Sequence, residues 1–423
     1  MNLVRTSLLN GIAVAIKMLT LLGINKILAI YVGPAGYAAL GQFQNAVQTV
    51  TTFASGAINT GVTKYTAEYH DDEPKQHQLW RTAGSIVLIG SLVTSAGIAL
   101  FNQTLAIWIL NDAKYGGVFL WFAATLSLFT FNTLLLAILN GKKEIARYVL
   151  ANIAGSIFAL VVTTVMAIRF GLYGALVALA VYQSISFFVT LLLCYKAPWF
   201  KVSHLIGNID TQTVGNLAKY TAMALTSAVC VPASHMLVRH QLGETFGWAF
   251  AGYWEAMWRL SAAYLMLFTT TLGVYYLPKL SGLSDPIEIK NEIKQAYKIV
   301  LPVTAAFGLA VYLLRDQIVT ILFTQEFKPM RQLFAWQLIG DTLKIGGWIL
   351  SYLMLSKAMY KMFIATEIIF ASGFVGFNWL FTKYLGFEGV AVAHAANYAV
   401  YWATLSMVFL PTMNKPNQEV KQV

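Results

Sequence analysis

The sequence predicts an all-α polytopic membrane protein, with twelve transmembrane helices in two parallel six-helix repeats. Three observations carry this expectation. Of 423 residues, 58% are hydrophobic and only 11% charged, where a soluble domain carries about 25% charged residues. Apolar runs of membrane-crossing length, about 20 residues at ~1.5 Å rise each, recur along the whole chain. Segments of the first half also return in the second, in the same order, at an offset of about 215 residues.

The expected spans are roughly 3–32, 37–68, 82–104, 117–140, 146–169, 174–195, 216–238, 248–279, 296–323, 332–356, 361–383 and 388–411. The opening apolar run is too long for a signal peptide and is interrupted by Lys17, so it reads as an uncleaved first helix. Gly33-Pro34 breaks the chain after it. With the N-terminus cytoplasmic, 17 basic residues fall in inside loops and span ends, among them Lys75, Lys142, Lys143, Lys290 and Lys415. The outside set has 6: Lys114, Arg169, Arg239, Lys328, Arg331 and Lys383. That bias puts both termini in the cytoplasm. The longest loops are 197–215 and 280–295, so nothing resembles the large outer domain of a membrane glycosyltransferase.

The repeat is carried by three echoes. Gly171–Ala180 (GLYGALVALA) matches Gly386–Ala395 (GFEGVAVAHA), Val32–Phe43 resembles Leu242–Trp254, and LAILNGKKEIARYVLANI echoes LMLSKAMYKMFIATEI. Six helices per half return the chain to the same side, which makes the repeats parallel and directs attention to mid-membrane between them for a substrate site. The expected division is an N-lobe at 1–195, a cytoplasmic linker at 196–215, a C-lobe at 216–411 and a cytoplasmic tail at 412–423.

Charges inside the spans are the candidates for function, because an ionisable group at a bilayer helix centre costs ~2.5–3.5 kcal/mol on insertion scales. The tenth span holds Asp341 and Lys344, three apart and on one helical face, where they can partly neutralise each other. Lys17 sits mid-span, too far from headgroups to snorkel easily, while Lys26 can reach the outer interface. Lys64 and Glu68 form an i,i+4 pair that serves structure as readily as function. Glu255 and Arg259 form another, in the favoured acid-first order. Beside them Trp254 and Trp258, also four apart, suit either sugar stacking or the interfacial belt. Arg315-Asp316 reads as an outer anchor, and Glu367 as a proton carrier or the partner of a neighbouring lysine. His235 and His394 read first as satisfied core histidines, and Cys194 and Cys230 as small core hydrophobes.

No metal site is expected: the run His70–His77 lacks closed ligand spacing and reads as a solvated loop, with Asp72 or Glu73 near a helix start. There is no P-loop, nucleophile elbow or zinc-protease motif, so no enzyme and no cofactor is expected. The formal charge of +11 does not imply a nucleic-acid partner, since the basic residues sit mostly in short loops between spans.

The chain resembles the multidrug/oligosaccharidyl-lipid/polysaccharide (MOP) exporters, whose fold MATE transporters share, and within them the Wzx-type flippases. Gly61–Glu73 (GVTKYTAEYHDDE), Leu313–Asp316 (LLRD) and Arg331–Trp348 carry the likeness, with weaker similarity from Leu8 to about Leu410. The resemblance implies a flippase of the bacterial inner membrane. It would move undecaprenyl-diphosphate-linked oligosaccharide units, O-antigen units or enterobacterial common antigen lipid III, from the cytoplasmic to the periplasmic leaflet. It implies alternating access through a cationic cavity between the lobes, with proton or cation coupling open. It also brings in a glycan polymerase and a chain-length regulator as partners. Lys17, Lys64, Arg259 and Lys344 are the expected cavity cations, and Glu68, Glu255, Asp341 and Glu367 the orienting or coupling acids. A MATE-type multidrug/cation antiporter is the alternative, but it would want acids for cationic drugs rather than mid-span cations.

Overall fold

The computed structural model describes residues 3–357 and 359–412; the expected tail from 413 on lies outside them. The described residues are mostly helical, with no strand among them. In chain order the α-helices are α1 Leu3–Tyr31, α2 Gly33–Ala54, α3 Asn59–Glu68, α4 Glu73–Leu100, α5 Asn102–Leu110, α6 Gly116–Gly141, α7 Ile145–Tyr195 and α8 Thr211–Phe246. They continue as α9 Trp248–Thr271, α10 Leu277–Gly282, α11 Pro286–Leu313, α12 Arg315–Leu322, α13 Phe334–Ser356, α14 Tyr360–Leu385 and α15 Gly389–Thr412. Eight stretches among the described residues are long and apolar enough to cross a membrane, and two of these, Ile145–Tyr195 and Tyr360–Phe409, run to 51 and 50 residues. Each is about twice the ~20 residues one crossing needs.

Both long stretches are broken by glycine. Gly171 interrupts α7 with φ 55° and ψ −135°, and Gly386 ends α14 with φ 65° and ψ −148°. Only glycine enters this region without a Cβ clash. These are the first residues of the GLYG and GFEG segments. The helices before them also start alike: Glu144 precedes α7 at φ −78°, ψ 60°, and Met359 precedes α14 at φ −78°, ψ 63°.

The third expected span starts earlier, at Glu73, the seventh runs on to Phe246, and three others differ in kind. The second is two helices, because Gly56 and Ala57 both take positive φ (63° and 52°) and end α2 before α3 begins. The eighth contains a π-helical segment, Leu272–Tyr276, between α9 and α10. The ninth starts earlier and stops earlier: Asp285 caps the Ile287 N–H, Pro286 occupies the first turn, and α11 ends at Leu313. The expected loop at 280–295 thus shrinks to a few residues, and Arg315-Asp316 opens α12 instead of closing α11.

The chain packs as two compact units, one from the residues up to Val32 with Ala39–Pro232, the other from Gly33–Ala38 with the residues from Ala233 on. In the first unit Val62, Trp80, Leu134, Ile138, Cys194 and Leu205 belong to one buried core. Its polar groups are satisfied locally: Trp80 donates to Thr66 Oγ1 (3.0 Å), Gln76 donates to the Thr66 carbonyl (2.8 Å), and Lys142 donates to Gln76 Oε1 (3.1 Å). Asp72 caps α4 by accepting from the Lys75 N–H. The segment 203–210 is fastened to α4 through Ser85, which bonds both Gly207 N and O (3.1 and 2.7 Å), and Thr82, which accepts from Asp210 N (3.1 Å). Asp210 then caps α8, accepting from the Thr213 N–H at 2.8 Å.

In the second unit the site is set by close approach of α13 to α15. A Cβ on Gly340 would overlap His394, and one on Gly347 would come within 2.6 Å of Tyr401. Small residues on one face let two membrane helices pack at backbone distance. The same device joins Gly252 of α9 to the Pro34 carbonyl.

Candidate functional site

Four buried charges of the second unit, Arg239, Glu255, Asp341 and Lys344, fall in two neighbouring groups. In the first, Glu255 of α9 accepts from Arg259 Nε at 2.7 Å, one turn along the same helix, and from Arg239 Nη2 of α8 at 2.9 Å. Arg239 is 1% exposed and Glu255 3%. Arg239 is counted by sequence with the outer loops and span ends; it is instead buried, because one face of α8 turns it inward against Glu255. Its guanidinium lies over the Trp254 ring (5.5 Å), and that of Arg259 over Tyr37 (5.6 Å). Two guanidinium groups thus share the Glu255 carboxylate.

The second group is built on α13. Asp341 is fully buried and accepts from Tyr264 Oη at 2.5 Å and Gln337 Nε2 at 3.3 Å, while His394 Nε2 lies 3.0 Å from its Oδ1. Lys344, three residues on, is 6% exposed and makes no ion pair among the described residues. Its ammonium instead faces three rings: Trp258 at 4.4 Å, Trp348 at 4.8 Å and Tyr398 at 5.2 Å. Cation–π attraction holds such a group in a low-dielectric setting without cancelling its charge. The two residues share a helical face as their spacing requires, but neighbouring helices divide them: α9 and α15 engage the acid, and aromatic faces from α9, α13 and α15 enclose the base. Glu367 of α14 lies within electrostatic reach of Lys344.

Trp254 has no exposed surface, so of the two tryptophans only Trp258, half-buried, has a face to offer a sugar. His235 packs edge-on to Trp258 at 4.2 Å and to Trp254 at 5.5 Å. In the first unit, Lys17 is exposed on α1. Lys64 and Glu68 form a 3.7 Å pair with side chains 47% and 52% exposed. Arg315 leans on Tyr312, and Asp316 pairs with Arg331 at 3.0 Å. Sequence reading missed Tyr264, Gln337, Trp348 and Tyr398 as parts of the site. The only trace they leave locally is position: Gln337, Asp341, Lys344 and Trp348 recur at i, i+4, i+7 and i+11 on α13, one helical face.

A family model described as polysaccharide biosynthesis protein matches residues 37–332. The lipid III flippases of Escherichia coli (strain K12) and Shigella flexneri are each 32% identical to the chain over 412 residues, covering 97% of it and 99% of the relative. Among solved structures, the inward-facing conformation of a multidrug resistance MATE family transporter of the MOP superfamily superposes with a TM-score of 0.73 at 15% identity, covering 95% of this chain and 96% of that one. A MOP superfamily transporter from Pyrococcus furiosus, noted for reverse polarity of its binding pocket, gives 0.64 at 16% identity, with 97% and 96% covered. The structural likeness establishes the MATE/MOP-like fold, and the identity over nearly the whole chain establishes the family: the chain belongs to the Wzx-type lipid-linked oligosaccharide flippases.

Proposed function

We propose that the chain flips an undecaprenyl-diphosphate-linked oligosaccharide, of the lipid III or O-antigen-unit class, from the cytoplasmic to the periplasmic leaflet of the bacterial inner membrane by alternating access. The observation that carries this reading is the buried, ring-enclosed Lys344 ammonium, whose neighbouring carboxylate is already engaged by Tyr264, Gln337 and His394. A diphosphate head crossing hydrocarbon unaided loses its hydration at a cost of tens of kcal/mol. A fixed cation that is not spent on an internal carboxylate replaces part of that hydration. Arg259 and Arg239, two cations on one carboxylate, extend the same field. Lys17 and Lys64 are the cations proposed for the first unit, with Glu68, Glu255, Asp341 and Glu367 as orienting or coupling acids and Trp258 as the sugar-facing ring. A MATE-type antiporter is the weaker reading. Its support is structural likeness at about 15% identity, against 32% identity to lipid III flippases.

The proposed topology is twelve spans with both termini cytoplasmic, in an N-lobe (1–195) and a C-lobe (216–411) related as parallel repeats. It is supported by halving the two long apolar stretches at Gly171 and Gly386 and adding α2–α3 and α9–α10 to the candidate spans. The matched backbone at Glu144 and Met359, and at Gly171 and Gly386, supports the repeat. The product would pass to a polymerase and chain-length regulator of the same glycan pathway.

The test is the double neutral variant Asp341→Asn with Lys344→Gln in a strain lacking its flippase, alongside Lys344→Gln alone. Both are expected at normal membrane levels, with glycan display and transport of labelled lipid-linked sugar in proteoliposomes lost. Near-normal display from the double variant would make the pair scaffold.

A further inference from the structure

We propose that the groove between α11 and α13 is a binding site for an anionic glycerophospholipid, separate from the transport site. The groove has two parts. The first is an apolar slot of about 420 Å³ walled by Ala305, Gly308 and Leu309 of α11 and Leu338, Ile339 and Leu343 of α13. The Thr342 hydroxyl in its wall is turned back onto the Leu338 carbonyl at 3.0 Å. Gly308 opens the slot: a Cβ there would meet only Leu338 Cβ, at 3.8 Å. The second part is a polar mouth of about 440 Å³ that includes Arg315, Lys328, Arg331 and Glu388. Tyr312 and Ala335 line both parts, so the slot and the mouth adjoin.

An apolar slot ending in a cationic mouth is complementary to one class of ligand, a hydrocarbon chain carrying a phosphate. Basic pockets between membrane helices take lipid headgroups in this way. The charge at the mouth selects within that class. Arg331 is partly committed to Asp316 at 3.0 Å, and Glu388 faces the same space. Three cations against two carboxylates leave a surplus of one, which balances a singly charged phosphodiester and not a diphosphate. Arg315 is held at the junction by its bond to the Tyr312 carbonyl (2.8 Å) and by the Tyr312 ring (4.3 Å), so one guanidinium edge is fixed where the chain meets its headgroup. Given the proposed orientation, this mouth opens to the periplasm, where basic clusters run against the usual loop bias. Two of the six cations assigned to that side, Lys328 and Arg331, gather here. A bound anion gives that clustering a physical reason.

The experiment is native mass spectrometry of the full-length protein with phosphatidylglycerol and phosphatidylcholine of identical acyl chains, with undecaprenyl diphosphate as competitor. Wild type and Gly308→Ala are expected to retain phosphatidylglycerol over phosphatidylcholine. Lys328→Gln and Arg315→Gln should each cut that preference by about fivefold, the effect of one cation near a lipid surface. Gly308→Leu, which fills the slot, should abolish retention while leaving thermal unfolding unchanged; should it not fold, the two charge variants decide the question. Equal retention of both lipids, wild-type retention by Gly308→Leu, or preferential displacement by undecaprenyl diphosphate at equal concentration would each overturn the proposal.

Discussion

Lys64/Glu68 in the first unit and Glu255/Arg259 in the second are the same device in sequence, an acid and a base four residues apart on one helix. In the structure they have little in common. The first pair is 3.7 Å apart and about half exposed on both sides. The second is 2.7 Å apart, its carboxylate 4% exposed, and it recruits a third member, Arg239, from another helix. Exposed pairs are screened by water and forfeit side-chain entropy, so they stabilise little. A buried carboxylate shared by two guanidinium groups cannot be removed without stranding charge in a low-dielectric interior. Spacing decides which side chains are adjacent; burial decides what their adjacency is worth.

The largest effect expected from this contrast is at Glu255. Glu255→Ala takes the shared carboxylate from the buried Arg239 and the partly buried Arg259 and should cost about 3–5 kcal/mol of unfolding free energy. Thermal unfolding in detergent would read it, and a loss below about 1 kcal/mol would remove the distinction between the two regions. Asp341→Asn is next. It keeps the side-chain shape but gives up a charge-assisted set of hydrogen bonds, for a cost of about 1.5–3 kcal/mol. Pairing it with His394→Gln should cost less than the two changes summed, because the histidine and the acid share one interaction.

A smaller effect is expected at Asp210, where the side-chain and backbone hydrogen bonds from Thr213 hold the carboxyl below its ordinary value of 3.8. A depressed carboxyl adds stability that is present above the unfolded-state value and is lost as pH falls through the folded-state value. The melting-temperature difference between wild type and Asp210→Ala should therefore hold from neutral pH down to about 4 and vanish in stronger acid. A difference that persists in strong acid would assign the effect to something other than the cap. The smallest effect is at the exposed pair: Lys64→Ala and Glu68→Ala should each change stability by less than about 0.5 kcal/mol. Lys64→Ala therefore sharpens the comparison. Flipping that falls while stability does not would separate a substrate role for this lysine from a structural one.

Much was fixed locally. The membrane class follows from composition, and the breaks at Gly171 and Gly386 follow from glycines that head matched segments. The shared faces of Glu255 with Arg259 and of Asp341 with Lys344 follow from helix periodicity alone. What periodicity cannot carry is partner choice across helices. Arg239 reaches Glu255 from 16 residues away, His394 reaches Asp341 from 53, and Tyr264 reaches it from 77. The sequence put a base beside Asp341 and an acid beside Lys344. Packing of α13 against α15 at Gly340 and Gly347 then brought His394 to the acid and the Tyr398 ring to the base, while α9 supplied Trp258. A buried charge is settled by whichever groups the neighbouring helices bring within hydrogen-bonding or ring-contact distance, and that is decided only when the helices have packed.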